Sequence, residues 1–152
     1  MKEKEEKYRL LTAQIQSLIE GETDRVSVMA NISAAIQEEM GFFWTGFYVV
    51  HGDELRLGPF HGSVACMHIP YGRGVCGTAW QRRTTVVVPD VEEFPGHIAC
   101  SSLSRSEIVV PVFNAKNEVV AVLDIDSRDL HTFDDVDQKW LEEIVKSLAH
   151  LF

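Results

Sequence analysis

The chain has 152 residues, 45% of them hydrophobic and 24% charged, a balance ordinary for a globular protein and long enough to bury one core. Its formal net charge of -9 argues against a general nucleic-acid binder, which carries a basic stripe, and against an anionic membrane surface. No apolar run approaches the ~20 residues of a membrane span and "MKEKEEKYRL" has no signal-peptide form, so the expected compartment is the cytoplasm, where three cysteines are reduced thiols and any disulfide is transient.

In "YRLLTAQIQSLIE" the apolar Leu11, Ile15, Leu18 and Ile19 recur at a helical period, and Gly21 stops the helix. "DRVSVMANISAAIQEEM" repeats Val26, Met29, Ile32, Ile36 and Met40 before Gly41. From there the pattern is that of strands. "FFWTGFYVV" is aromatic and β-branched, and "ELRLGPFHG" follows a short "HGD" turn. "GVCGTAWQRR" reads as a short helix and "TTVVVPD" as a strand. "SEIVVPVF" and "EVVAVLDID" flank "NAKN" as a hairpin. The closing helix, "DDVDQKWLEEIVKSLAHLF", turns Val136, Trp140, Ile144, Leu148 and Leu151 inward, with Thr132 of "TFDD" as its cap and acids in its first turn. No repeat or linker interrupts the chain. The expectation is one α+β domain over residues 1–152: a central antiparallel sheet with the N- and C-terminal helices packed on one face.

Strand parity gathers acids. Asp124 and Asp126 in "VLDIDS" project from one face. A four-residue "NAKN" loop places Glu107 opposite Asp124, whereas a turn of Lys116-Asn117 places it opposite Asp126. An odd loop sends Glu107 to the other face unless a bulge restores the register. On either even count three carboxylates meet at one end of a hairpin. Like charges opposed across strands destabilise the pair, so such a corner suits a cation, a metal or an ammonium.

Each of Cys66, Cys76 and Cys100 could be a buried, inert thiol, and Cys76, flanked by small residues at a helix start, fits that description best. A zinc reading can draw on Cys66, His68, His97 and Cys100, but no C-x-x-C pair supports it, and no metal is expected. Cys100 stands apart. Its loop, "FPGHIACSSLSRS", is dense in hydroxyls and free N–H groups suited to a small anion. Nearby carboxylates would raise a thiol pKa and oppose thiolate formation, unless a substrate brings positive charge to them.

Together "GFFWTGFYVV", "YGRGVCGTAW", "HIACSS…SEIVVPV" and "VLDIDS" resemble the free methionine-(R)-sulfoxide reductases, proteins of the GAF fold, from about Gly41 through Phe133. The resemblance implies an oxidoreductase of oxidative-stress chemistry that reduces free L-methionine-(R)-sulfoxide to methionine. It implies that Cys100 is the nucleophile, that Cys66 resolves the sulfenic acid as a disulfide, and that Cys76 is an auxiliary thiol; which of Cys66 and Cys76 does most of the resolving stays open. Glu107, Asp124 and Asp126 become substrate-binding acids and Trp44 a pocket wall, joined on the same strand face by Tyr48, whose simpler role is core packing. One of the acids, Glu107 among them, supplies the proton. No cofactor is implied beyond an external dithiol such as thioredoxin, and a cytoplasmic homodimer is expected. The alternatives are a non-catalytic GAF sensor of a small molecule, which would keep its thiols free, and a non-specific peroxide scavenger using Cys100.

Overall fold

The computed structural model describes residues 2–98 and 100–152. Six strands form one antiparallel sheet in the order β3-β2-β1-β6-β5-β4, with β1 Trp44–His51, β2 Glu54–His61, β3 His68–Pro70, β4 Val86–Val88, β5 Ser106–Phe113 and β6 Val119–Ser127. The helices are α1 Lys2–Ile19, α2 Arg25–Met40, α3 Gly74–Arg82 and α4 Asp135–Lys146. Among the described residues no helix is long and apolar enough to cross a membrane.

Alternation along β5 and β6 decides which layer lies on which face. Ile108, Val110 and Val112 of β5 and Leu123 and Ile125 of β6 bury against α1, α2 and α4 in the larger core. Val109 and Val122 point the other way, into a smaller core with Trp44 and Tyr48 of β1 and Val75, Cys76 and Ala79 of α3. The terminal helices thus share one face, as expected, and α3 lies across the opposite one. That second face holds the acids.

Several expected contacts differ. Leu18 and Val26, which fit the helical apolar period, are 44% and 58% exposed. The inward stripe of α1 instead runs through Tyr8, Leu11, Ile15 and Ile19, and the helix begins at Lys2, within the charged segment. On α4, Ile144 and Leu148 are buried as expected, but Val136, Trp140 and Leu151 are only half-covered. Asp137 takes an inward position instead. It is fully buried, accepting hydrogen bonds from the Tyr8 hydroxyl at 2.6 Å and from Lys4 Nζ at 2.7 Å. This charged contact ties the start of α1 to the start of α4, so an acid at an inward position is satisfied by partners 129 and 133 residues away. The cap of α4 is Asp134, in a capping box with Asp137, and not Thr132. Thr132 Oγ1 bonds Ser127 Oγ and donates to the Asp129 carbonyl.

Candidate active site

The hairpin register settles the placement of the acids. Phe113 pairs with Val119 around a five-residue connection, and a bulge between Val112 and Phe113 restores parity, so that Glu107 stands opposite Asp126 and Val109 opposite Asp124. On the other side of β6, Trp44 of β1 stands opposite Asp126 and Gly46 opposite Asp124. Asp126 is therefore flanked in the sheet by Trp44 and Glu107. Trp44 and Phe60 pack directly over Gly46, leaving no space for a side chain there.

α3 closes this face from above. Cys76 lies near the start of the helix, buried, and its Sγ with one carboxylate oxygen each from Glu107 and Asp124 all lie within 4.8 Å of one another. No lysine or arginine pairs with Glu107, Asp124 or Asp126 among the described residues; the nearest basic group is His97, whose Nε2 is 3.6 Å from Glu107 Oε1. Burial, then the neighbouring Asp126 charge, raises the Glu107 pKa to about 8. Burial raises Asp124 and Asp126 as well, helped by Glu107 in the first case and Asp124 in the second. Low dielectric is the main cause and like-charge repulsion the second. Burial lowers the pKa of His97, opposing protonation of its imidazole beside these acids. Burial also pushes the Cys76 thiol up, with Asp124 adding to it, so Cys76 is held as a neutral S–H.

Cys66 and Cys100, 34 positions apart in sequence, form a disulfide with Cα atoms 5.5 Å apart, leaving Cys76 as the free thiol. Cys100 lines the same cavity as Glu107, Asp124 and Asp126. The thiol partner that parity and composition could not select is thus Cys66. Of the motif "HIACSS", Ala99 lies outside the described residues. Cys66 itself precedes the short β3 and does not share a strand with His68.

The aromatics do more than wall the cavity. Trp44, 4% exposed, donates from Nε1 to the Ser63 carbonyl at 2.9 Å. Tyr48 donates from its hydroxyl to the Cys66 carbonyl at 2.9 Å. Both line the cavity, so Tyr48 is buried as core packing requires and is also part of the site. Two rigid side chains of β1 thereby hold the loop that carries Cys66. Sequence reasoning missed His97 as a neighbour of Glu107 and Gly46 as the position over which Trp44 and Phe60 close. The first left a signal, since His97 lies three positions before Cys100 in one loop. The second left none, because a glycine in a strand does not say which neighbour needs its space.

The arrangement can hold a small cation against three carboxyl groups, present a carboxylic acid as proton donor near neutral pH, and exchange a thiol pair at the same cavity. A GAF domain family model matches residues 22–152. The chain is similar to GAF domain-containing protein A of Dictyostelium discoideum, 53% identical over 146 residues, 95% of this chain and 92% of that protein. It is similar to a free methionine-R-sulfoxide reductase of Escherichia coli, 44% identical over 146 residues, 95% of this chain and 88% of that one. Among solved structures it resembles the free methionine-R-sulfoxide reductase from Neisseria meningitidis in complex with its substrate, with a TM-score of 0.91 and 52% identity, covering 93% of this chain and 86% of that chain.

Proposed function

The chain belongs to the GAF domain family and, within it, to the free methionine-R-sulfoxide reductases, and from that premise we propose that its cavity reduces free L-methionine-(R)-sulfoxide to methionine. The observation that carries this reading is the meeting, in one cavity, of Cys100 and three carboxyl groups without a lysine or arginine partner among the described residues. A cysteine pair that can close to a disulfide beside an acidic corner suits, in its reduced form, a substrate that brings both an oxidising sulfur and an ammonium. The R preference rests on the relatives.

In this reading Glu107, Asp124 and Asp126 hold the α-ammonium, and Trp44 walls the sulfur end of the substrate. A protonated carboxyl among the three, all raised by burial, donates to the sulfoxide oxygen. The Cys100 thiolate attacks sulfur. Methionine leaves carrying the electron pair, and the oxygen with its proton remains on Cys100 as a sulfenic acid. Cys66 then displaces that oxygen as water and forms the disulfide, which an external dithiol such as thioredoxin reduces by exchange. Cys76 is an auxiliary thiol beneath the acids. No cofactor is needed for these steps. We read residues 1–152 as one catalytic unit, cytoplasmic and acting against oxidative damage. Homodimerisation through the N-terminal helices is supported by Leu10 at 54% and Leu18 at 44% exposure.

The test is turnover of the separated epimers of free and peptide-bound methionine sulfoxide with a dithiol reductant, with thiols counted before and after. The expected result is consumption of the free R epimer and loss of two thiols per chain in the absence of reductant. Unchanged thiols would leave a sensor domain as the reading, and equal turnover of hydrogen peroxide would leave a scavenger.

A further inference from the structure

The mechanism proposed above gives Cys76 no step, yet Cys76 is buried where a sulfur and two carboxylates converge. Its Sγ and the oxygens of Glu107 and Asp124 lie within 4.8 Å of one another, so small rotations bring all three to bonding distance of one ion. Asp124 supplies an independent observation: its Oδ1 is buried with no hydrogen-bond partner among the described residues, and the residue is only 6% exposed. A buried carboxylate oxygen without a donor is a costly feature unless something cationic meets it.

We propose that Cys76, Glu107 and Asp124 form an inhibitory site for a divalent transition-metal ion of the zinc class. The donor set selects the class. Calcium and magnesium take six or more oxygens, whereas one sulfur with two oxygens and an open fourth position suits a tetrahedral, borderline-soft ion. Binding releases to solvent the protons held by the thiol and the acids, and forms metal–sulfur and metal–oxygen bonds without electron transfer. Because the ion takes the oxygens assigned above to the substrate's ammonium, ion and substrate exclude one another; that last clause rests on the proposed function, while the site itself does not.

Cobalt(II) is the probe, added to the disulfide form of the full chain. There Cys66 and Cys100 are bonded to each other, and Cys76 is the one thiol available. The expected result is a saturable near-ultraviolet thiolate-to-cobalt charge-transfer band, one ion per chain, reversed by zinc. The band is lost in Cys76→Ser, and Asp124→Asn weakens binding by at least about tenfold, as loss of one ligand should. Absence of the band in the wild-type protein, or calorimetric cobalt affinity unchanged in Cys76→Ser, overturns the site. In the Cys66→Ser, Cys100→Ser double variant, free methionine sulfoxide should raise the apparent cobalt dissociation constant in proportion to its concentration; no rise overturns the exclusion. A band that persists in a protein without reductase activity refutes the proposed function and leaves the metal site standing, so the two failures are distinguishable.

Discussion

Glu107 stands directly across from Asp126 in the β5–β6 pairing, with Asp124 on the same face of β6 and no lysine or arginine partner for any of the three among the described residues. Such a corner is stable only when it is protonated or holds a cation. For Glu107 the folded pKa is about 8, above the ordinary value of 4.5, so between those values the folded chain binds more protons than the unfolded one. Its stabilising contribution is therefore complete below about pH 4.5 and is lost as pH rises through 8, with a slope of at most about 1.4 kcal/mol per pH unit for one site. Asp124 and Asp126 are raised in the same direction. Urea denaturation of the metal-free disulfide form from pH 5 to 8 should show stability falling, and Glu107→Gln should flatten that fall. Equal slopes in the two proteins would contradict the buried-acid assignment.

Substrate recognition follows from the same charges. A methionine sulfoxide acetylated on nitrogen brings no ammonium, and its binding would leave the carboxyls unpaired in a desolvated cavity. Its kcat/KM should fall by about 10²- to 10⁴-fold against the free amino acid, since sites built around a polar contact reject analogues that lack it. Comparable kcat/KM for the two compounds would show that the acids do not hold the amine.

The cysteines should separate by position. Cys100→Ser should release no methionine even in a single turnover, because the sulfur that accepts oxygen is gone. Cys66→Ser should release one methionine per chain and then stall with thioredoxin as reductant, since no disulfide can form with the partner that the structure pairs at a Cα separation of 5.5 Å. Quenched-flow methionine release against steady-state rates reads both outcomes. A full steady-state rate in Cys66→Ser would transfer the resolving role to Cys76.

The site was legible in the sequence where a period or a parity carried it. The alternation of β6 put Asp124 and Asp126 on one face, but the side taken by Glu107 hung on the connection, since an odd loop sends it to the other face; the connection is odd, and the bulge at Val112 restores the register with Glu107 opposite Asp126. The inward faces of the helices were legible only in part. Leu18 and Val26 fit a helical period, yet they sit at the edge of their stripes and face outward. Asp137 could not be read as inward, because its satisfaction depends on Lys4 and Tyr8 at the far end of the chain. The Cys66–Cys100 pairing joins a loop before β3 to a loop before β5, and strand parity says nothing about where two loops meet.

Gly46 offers the most local test of how the cavity wall is built. A Cβ placed there would clash with Phe60 Cβ and lie 2.7 Å from Trp44 Cη2 and 2.9 Å from Phe60 Cα, so alanine cannot enter without moving both Phe60 and the indole. Trp44 now stacks on Phe60 at a centroid distance of 5.2 Å and anchors the Ser63 carbonyl, three residues before Cys66. Gly46→Ala should cost about 1–3 kcal/mol from overpacking in β1 and β2. Because the displaced ring both borders Asp126 and holds the loop that carries Cys66, KM for methionine sulfoxide should rise and recycling should slow together. Trp44→Phe keeps an aromatic wall but deletes the Nε1 donor, so it should slow disulfide formation more than it raises KM. Steady-state KM alongside the single-turnover rate of disulfide formation distinguishes the two variants. An unchanged KM in Gly46→Ala would mean that the indole does not bound the substrate.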